Sequence, residues 1–218
     1  MLAAPFAACV HATAVVPAVT FAPSSREAFE QAASVTRPAQ RQVVRISWRS
    51  DDGHLQLAGR GAVRIAPPDS LRADIAASLG VARSTLVMTG DAVAARPAEF
   101  VDQLLPDRFA LWAVLGIIRV PTGSLLVEHA EAGARNLWRT TDADGRITTF
   151  ELNRGALVSV KREQGGRTTS QLRLTHGAGG DVRRASLTDL AHGLRLEVNI
   201  SGREPSDAFA SEIWQIRP

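Results

Sequence analysis

Residues 42–65, QVVRISWRSDDGHLQLAGRGAVRI, contain the pattern that decides the fold. Apolar and polar residues alternate at the start of this stretch, so that Val44, Ile46 and Trp48 share one side. This period of two is typical of a half-buried β-strand. Because Asp52-Gly53 is a characteristic hairpin-turn pair and alternation resumes after it, the stretch predicts a long antiparallel β-hairpin.

The return strand and the segment after it continue the pattern. His54–Ile65 places Gly59 and Gly61 on its apolar side, which permits a bend or the close approach of another group. Pro67-Pro68-Asp69 turns the chain, and Leu71–Ala76 alternates again. These features predict a third strand that lies antiparallel to its predecessor.

Further strand signals fill the second half of the chain. Alternating segments are separated by turn sequences such as Asp144-Gly145 and Gly165-Gly166. Glu128-His129 and Glu131 are expected in a loop, as a solvated charge group. The predicted strands are about Asn136–Thr141, Arg146–Leu152, Ala156–Arg162, Thr168–Thr175, Val182–Leu187, Leu194–Gly202 and Glu212–Arg217. The whole chain then has roughly ten or eleven antiparallel strands.

Three short helices accompany these strands. Ser24-Ser25 can cap a first helix that runs to about Val35. The spacing of apolar residues predicts a second helix over Pro97–Leu105 and a third from Asp107 to Gly116. Residues 109–115 are apolar on every side, so both faces of the third helix must be covered.

The number of helices limits how the sheet can bury its apolar face. Eleven strands at about 4.8 Å spacing make a sheet on the order of 50 Å wide, whereas one helix covers a strip about 10 Å wide. The sheet must therefore curl until its apolar side faces itself. Because only 5% of the residues are aromatic and none is tyrosine, we expect a hydrophobic cavity, which suits acyl chains.

Composition and motifs exclude several classes of protein. A chain of 218 residues can bury a core in a single domain, and a net charge of +3 gives no electrostatic case for nucleic-acid binding. No apolar run reaches the roughly 18 residues of a transmembrane helix. Five histidines lack metal-ligand spacing, and no nucleophile elbow, P-loop or zinc-protease motif occurs. We therefore expect no enzymatic activity, no cofactor and no metal.

The amino-terminal residues are similar to the end of a bacterial lipoprotein signal. Small residues precede Cys9 in Phe6-Ala7-Ala8-Cys9, and in such signals the cysteine is lipidated. No Lys or Arg precedes Cys9, whereas a working signal has a basic segment and roughly 7–15 apolar residues. Two interpretations remain: a truncated leader, or a frayed terminus with an incidental cysteine. We take residues 1–24 as truncated leader and flexible tether and residues 25–218 as a single domain.

Three segments resemble the LolA/LolB superfamily of lipoprotein carriers and its uncharacterised lipoprotein relatives. Ser70–Ile75 and Thr85–Met88 match strands that flank a protruding loop with an exposed leucine in a Leu-Gly pair, which is Leu79 here. Phe100–Pro106 is similar to the helix before the family's proline, and Leu111–Gly116 to its Trp-Leu-Leu-Gly lid segment. The resemblance implies an unclosed β-barrel, mainly β with a few helices (α+β), with a helical lid over a hydrophobic cavity.

Together, the alternation and the resemblance assign candidate site residues. Val81 lies beside Leu79, and both are expected to contact a membrane, while Cys9 is the candidate for lipidation. The expected acyl-chain cavity residues are Val44, Ile46, Trp48, Leu55, Leu57, Val63, Ile65, Leu71, Ile75, Leu86 and Met88. The expected lid residues are Phe100, Leu104, Leu111, Trp112 and Leu115.

The resulting hypothesis is a monomeric, non-enzymatic carrier of lipid or lipoprotein acyl chains. It would be lipid-anchored at the periplasmic face of a bacterial outer membrane, receive cargo from a periplasmic carrier protein, and bind no nucleic acid. Three alternatives remain open. They are a membrane-spanning outer-membrane β-barrel, whose strands also alternate, a structural envelope lipoprotein, and an enzyme with a lipidic substrate.

Overall fold

One continuous antiparallel sheet of thirteen strands makes up most of the described part of the chain. The computed structural model describes residues 19–78, 82–99, 101, 110–120 and 122–216. The strands are β1 (Ala22–Pro23), β2 (Gln42–Asp51), β3 (Gln56–Ala66), β4 (Ser70–Ala77), β5 (Arg83–Thr89), β6 (Ala92–Arg96), β7 (Leu126–Ala132), β8 (Arg135–Thr141), β9 (Ile147–Asn153), β10 (Ala156–Gln164), β11 (Arg167–His176), β12 (Val182–Asp189) and β13 (Leu194–Pro205). The helices with described bounds are α1 (Arg26–Ser34), α2 (Ala110–Ala113) and a 3-10 helix (Ser211–Trp214), and residues 98, 99 and 101 are helical as well.

The strand order shows that the barrel is unclosed. It runs β1-β7-β8-β9-β10-β11-β12-β13-β2-β3-β4-β5-β6, with β1 and β6 at the two edges. Inward residues from strands far apart in this order, such as Val127 on β7 and Leu86 on β5, belong to one hydrophobic core. The sheet therefore curls around that core, and the predicted mainly β, unclosed architecture is confirmed.

The hairpin of residues 42–65 forms as predicted and lies in the middle of this sheet. Trp48 of β2 pairs with Gly59 of β3. A Cβ atom at Gly59 would lie only 2.6 Å from the Trp48 ring, closer than real side chains approach. Glycine at this position therefore makes room for the indole, which is the close approach that the sequence allowed.

Helix α1 begins at the predicted cap. The Ser25 Oγ accepts a hydrogen bond from the Ala28 N–H at 3.1 Å, which satisfies one of the free N–H groups of the first turn. Phe29 and Ala33 are fully buried on the inner side. The Phe29 ring stacks on Trp138 with centroids 5.1 Å apart, so α1 fills the interior beside β8.

Two local predictions are wrong. The expected strand Glu212–Arg217 is replaced by the 3-10 helix, whose Ile213 carbonyl accepts a hydrogen bond from Arg72 Nη1 at 2.8 Å. Glu128 and His129 lie in β7, not in a loop, where they pair with Arg139 and Trp138 of β8. In both places local alternation is weak, and contacts with residues distant in sequence decide the structure.

Two further strands, β1 and β6, were not predicted. β1 has only two residues, and β6 consists mainly of alanine and valine, so neither offers a clear period of two. The predicted helix Pro97–Leu105 and the first part of the third predicted helix lie mostly outside the described residues. Of the third helix, α2 is described, and it is followed by a turn to Gly116.

Candidate functional site

An apolar cavity of about 60 Å³ lies between α2 and the inner face of the sheet. Its walls come from β2–β5 and β13, and its cover comes from α2 and the residues just after it. The lining consists of Ile46, Trp48, Val63, Leu71, Ala73, Ile75, Leu86, Val101, Leu111, Val114, Leu115, Leu196 and Val198. Since no lining side chain is charged, the cavity favours an apolar guest.

Strand register brings these side chains to one place. Val198 of β13 pairs with Trp48 of β2, which in turn pairs with Gly59 of β3. In the next inward row, Ile46 pairs with Gly61, and Gly61 pairs with Ile75 of β4. Because both central positions are glycine, the inner surface of β3 carries no side chain there, and the neighbouring side chains form the wall.

The cover is buried and apolar on all sides. Every residue of α2 is buried, and burial continues through Leu115 to Ile118 apart from Gly116. This explains the sequence pattern at residues 109–115, because one side of the segment meets the cavity and the other sides meet the rest of the core. The all-apolar segment is thus accounted for as an internal cover.

The carboxyl-terminal end of this cover is fixed by hydrogen bonds. Arg203 Nη2 donates to the Leu115 carbonyl at 2.9 Å, and the Ile118 N–H donates to Thr36 Oγ1 at 2.9 Å. Arg119 Nη1 donates to the Gly90 carbonyl at 2.9 Å. Burial lowers the pKa of the Arg203 guanidinium, and the nearby Asp181 carboxylate partly opposes this effect.

The cavity volume decides what the closed structure can hold. About 60 Å³ equals roughly two water molecules at about 30 Å³ each, whereas pockets for small molecules enclose about 300–1,000 Å³. Thus the hydrophobic cavity is present where it was expected, but an acyl chain enters only if α2 or the wall side chains move.

The predicted cavity and lid residues occupy several places. Those that line the cavity are Ile46, Trp48, Val63, Leu71, Ile75, Leu86, Leu111 and Leu115. Those buried in the surrounding core are Val44, Ile65, Met88 and Trp112. Leu57 is half-buried, and Leu55, in the β2–β3 turn, is 51% exposed. Phe100, Leu104, Leu79, Val81 and Cys9 lie outside the described residues.

Five lining residues were absent from the sequence-based set: Ala73, Val101, Val114, Leu196 and Val198. The alternation from Leu194 to Ile200 already placed Leu196 and Val198 on an apolar face. What the alternation could not show is that β13 pairs with β2, nearly the whole length of the domain away in sequence. Ala73 lies between the predicted residues Leu71 and Ile75 on the inward side of β4, and its small side chain leaves part of the cavity unfilled.

One histidine–carboxylate pair bears on the alternative of an enzyme. His192 Nδ1 lies 3.0 Å from Asp189 Oδ2, but the His192 side chain is 61% exposed. Within the described residues no serine hydroxyl is hydrogen-bonded to this ring, and Asp189 Oδ1 also accepts from the backbone N–H groups of Ala191 and His192. The pair therefore caps the β12–β13 turn. The residues that the structure describes contain no cluster of three or more potential metal ligands.

Two solved bacterial structures share this fold. A LolA superfamily protein from Nitrosomonas europaea has a TM-score of 0.55 and 12% sequence identity, over 89% of this chain and 99% of that protein. A domain assigned as an outer membrane lipoprotein-sorting protein, from Vibrio parahaemolyticus, has a TM-score of 0.52 and 8% identity, over 86% and 94%. The chain therefore has a LolA/LolB-like fold, as the sequence resemblance implied.

Sequence comparison adds nothing to this fold assignment. No protein-family model matches the chain, and no curated protein sequence matches it significantly. Across the described residues, no helix combines the length and apolar character needed to cross a bilayer. The fold assignment therefore rests on structural similarity.

Proposed function

We propose that the protein is a non-enzymatic carrier that binds acyl chains of lipids or lipoproteins in the apolar interior beneath α2. The observation that carries the proposal is the cavity itself, which is lined by apolar side chains and covered by a segment that is apolar on all sides. The similarity in fold to a lipoprotein-sorting domain supports it.

The energetics of opening favour reversible binding. Withdrawing three cover residues, Leu111, Val114 and Leu115, from the cavity costs on the order of 5–9 kcal/mol, at about 1.5–3 kcal/mol for each side chain. Ten buried methylene groups of a guest return about 8 kcal/mol. Because the two terms are similar, an acyl chain is held weakly enough to pass on to a bilayer, which shields the whole chain.

The hydrogen bonds at the end of the cover define which part moves. Leu115 and Ile118 are tied to Arg203 and Thr36, whereas α2 itself contributes apolar contacts. We therefore expect the cover to open by displacement of α2 and Val114 and rotation of the Leu115 side chain, while the Leu115 carbonyl and Ile118 stay in place as the fixed end.

Delivery to the outer membrane is the more specific part of the proposal. Lipidation of Cys9 would anchor the chain at the periplasmic face, residues 1–24 would act as the tether, and a periplasmic carrier would supply the cargo. The β4–β5 connection, with Leu79 and Val81, would enter the bilayer surface and promote release. Leu79→Glu is expected to slow transfer to vesicles at least fivefold, whereas the control Leu190→Glu, at a residue that is 60% exposed, leaves transfer unchanged.

A binding experiment tests the acyl-chain site directly. Native mass spectrometry of the purified full chain is expected to show co-purified lipid, and dansyl-undecanoic acid is expected to gain fluorescence on binding. Ala73→Leu fills the cavity and should weaken binding of this probe at least fivefold. Ala58→Leu, at an exposed outward position of β3, is the matched control and should bind normally.

The contrary outcome is equally defined. If no lipid co-purifies and the dansyl probe binds neither the wild-type protein nor Ala58→Leu, the interior is a solid core. The proposal of a carrier then fails, and a structural role in the cell envelope replaces it.

A further inference from the structure

A second concave surface lies on the outer face of the sheet, opposite the apolar interior. It is a groove of about 950 Å³ across β2–β6, bordered by β13. Four arginines line it: Arg45, Arg60, Arg83 and Arg96. All four are exposed. We refer to this surface as the basic groove.

Strand pairing explains why arginines gather around a depression. Outward positions in the centre of the groove carry small side chains, namely Ser47, Ala62, Ala76 and Thr85. Arg60 pairs with Ser47 on one side and Ala76 on the other, and Ala76 pairs with Arg83. Arg60 and Arg83 are therefore two strands apart, roughly 10 Å, with only a methyl group between them.

The single carboxylate in the lining is already engaged. Asp74 accepts hydrogen bonds from Arg72 Nε at 3.0 Å, Arg64 Nη1 at 2.5 Å and Thr85 Oγ1 at 2.8 Å. Burial on its own would raise the pKa of Asp74, but the hydrogen bonds from Arg72 and Thr85 and the two positive charges lower it overall. Asp74 therefore stays ionised, and its charge is balanced by Arg64 and Arg72.

Three cations of the groove, Arg45, Arg60 and Arg83, are not neutralised to the same degree. Arg45 pairs with Glu204 at 3.1 Å, but both side chains are more than half exposed, and such pairs are weak. Among the described residues, no carboxylate forms an ion pair with Arg60 or Arg83. The groove therefore presents an excess of positive charge on guanidinium groups, which bind phosphate oxygens in a bidentate manner.

The outer face of the other strands has a different charge arrangement. There several basic side chains have cross-strand or neighbouring carboxylate partners: Arg139 with Glu128, Arg135 with Glu151, Lys161 with Glu163, and Arg184 with Glu197. Exposed arginines such as Arg173 and Arg195 also occur on these strands. What distinguishes the basic groove is therefore that its four arginines border one depression.

We infer that the basic groove is a docking surface for the anionic phosphate groups of a lipid bilayer. Three observations favour a membrane over one small anion. The volume far exceeds that of a single phosphate, the arginines are spread over several strands, and Arg83 begins β5, directly after the β4–β5 connection that ends β4 at Ala77. Basic residues near an anionic membrane contribute about 1 kcal/mol each.

Vesicle co-sedimentation of the full chain tests this inference. We expect binding to vesicles of phosphatidylglycerol and phosphatidylethanolamine, none to phosphatidylcholine vesicles, and loss of binding at about 1 M salt, where the Debye length is only about 3 Å. The double variant Arg60→Gln/Arg83→Gln should bind roughly 30-fold more weakly.

A charge-matched variant and two soluble probes complete the test. Arg173→Gln/Arg195→Gln removes two exposed arginines from the outer face of β11 and β13 and should retain at least a third of the wild-type affinity. Equal loss in both double variants would show a non-specific charge effect and overturn the inference. So would groove-dependent binding of inorganic phosphate or poly-glutamate without vesicle binding. Titration with dansyl-undecanoic acid in both variants reports separately on the acyl-chain site, which the groove variants leave intact.

Discussion

The two halves of the sheet, β7–β12 beside α1 and β2–β6 with β13 beside α2, bury their inner faces in different ways. Beside α1, Phe29 packs against Trp138 and Phe150 with ring centroids 5.1 and 5.2 Å apart, and the interior is filled by aromatic rings. Beside α2, the walls are aliphatic apart from Trp48, and the 60 Å³ cavity remains. Aromatic rings thus pack on one another beside α1, whereas beside α2 Trp48 is the aromatic side chain that lines the cavity, so the half beside α2 is the less completely filled one.

The outer faces of the same two halves differ as well. Several cations on the strands from β7 to β12 have carboxylate partners, whereas the arginines of β2–β6 border the basic groove. The half with the apolar cavity is therefore also the half whose outer face carries the basic groove. A protein that brings an acyl chain to a bilayer needs both properties on one side of the molecule.

The largest effect is expected when the aromatic packing beside α1 is removed. Phe29→Ala should destabilise the protein by about 3–5 kcal/mol, because a fully buried ring that stacks on Trp138 is lost. Urea unfolding followed by tryptophan fluorescence measures this change. A loss below about 1 kcal/mol would mean that the interior beside α1 is as loosely packed as the interior beside α2.

The glycine beneath Trp48 shows how closely the wall of the cavity is packed. Gly59→Ala should destabilise the protein by about 1–3 kcal/mol, since the new methyl group would overlap the Ala76 carbonyl oxygen and lie 2.6 Å from the indole. Gly202→Ala is the control, because a Cβ at Gly202 meets no atom within 4 Å. Thermal unfolding of both variants compares them. Equal midpoints would show that both Trp48 and the backbone of β4 give way at little cost.

Enlarging one buried alanine in each half compares how tightly the two halves are packed. Ala33→Leu inserts three carbons into the filled region at α1, where Ala33 is fully buried, and should destabilise by about 1–3 kcal/mol. Ala73→Leu inserts the same group into the cavity and should change stability by less than about 1 kcal/mol. Chemical denaturation measures both. The comparison of the halves is wrong if Ala73→Leu is the more harmful change.

The smallest expected effect concerns the carboxylate in the basic groove. The pKa of Asp74 is lower in the folded state than its usual value, which is about 3.9 in the unfolded chain. The stabilisation by Asp74 is therefore fully present above about pH 5 and is lost as the pH falls through the lower folded value. Asp74→Asn should accordingly be less stable than wild type at pH 7, with the difference shrinking toward pH 3. A difference independent of pH would indicate a purely steric effect.

Much of the strand pattern can be derived from the sequence. The hairpin of residues 42–65, the cap at Ser25 and the strands after residue 135 follow from local alternation, turn pairs and a side-chain hydrogen bond. These are short-range effects, so the residues that cause them are adjacent in the printed chain. Local sequence therefore determined most of the longer strands and which face of each is apolar.

Long-range pairing decided the remainder. Three features depend on partners distant in sequence. β13 pairs with β2, Glu128 and His129 belong to β7, and the 3-10 helix Ser211–Trp214 forms where a strand over Glu212–Arg217 was predicted. The same holds for both candidate sites, because the size of the cavity depends on how α2 packs into the curled sheet. The excess charge of the basic groove likewise arises only when β2–β6 align their arginines. Alternation specifies the face on which a side chain lies, but only the folded sheet specifies its neighbours.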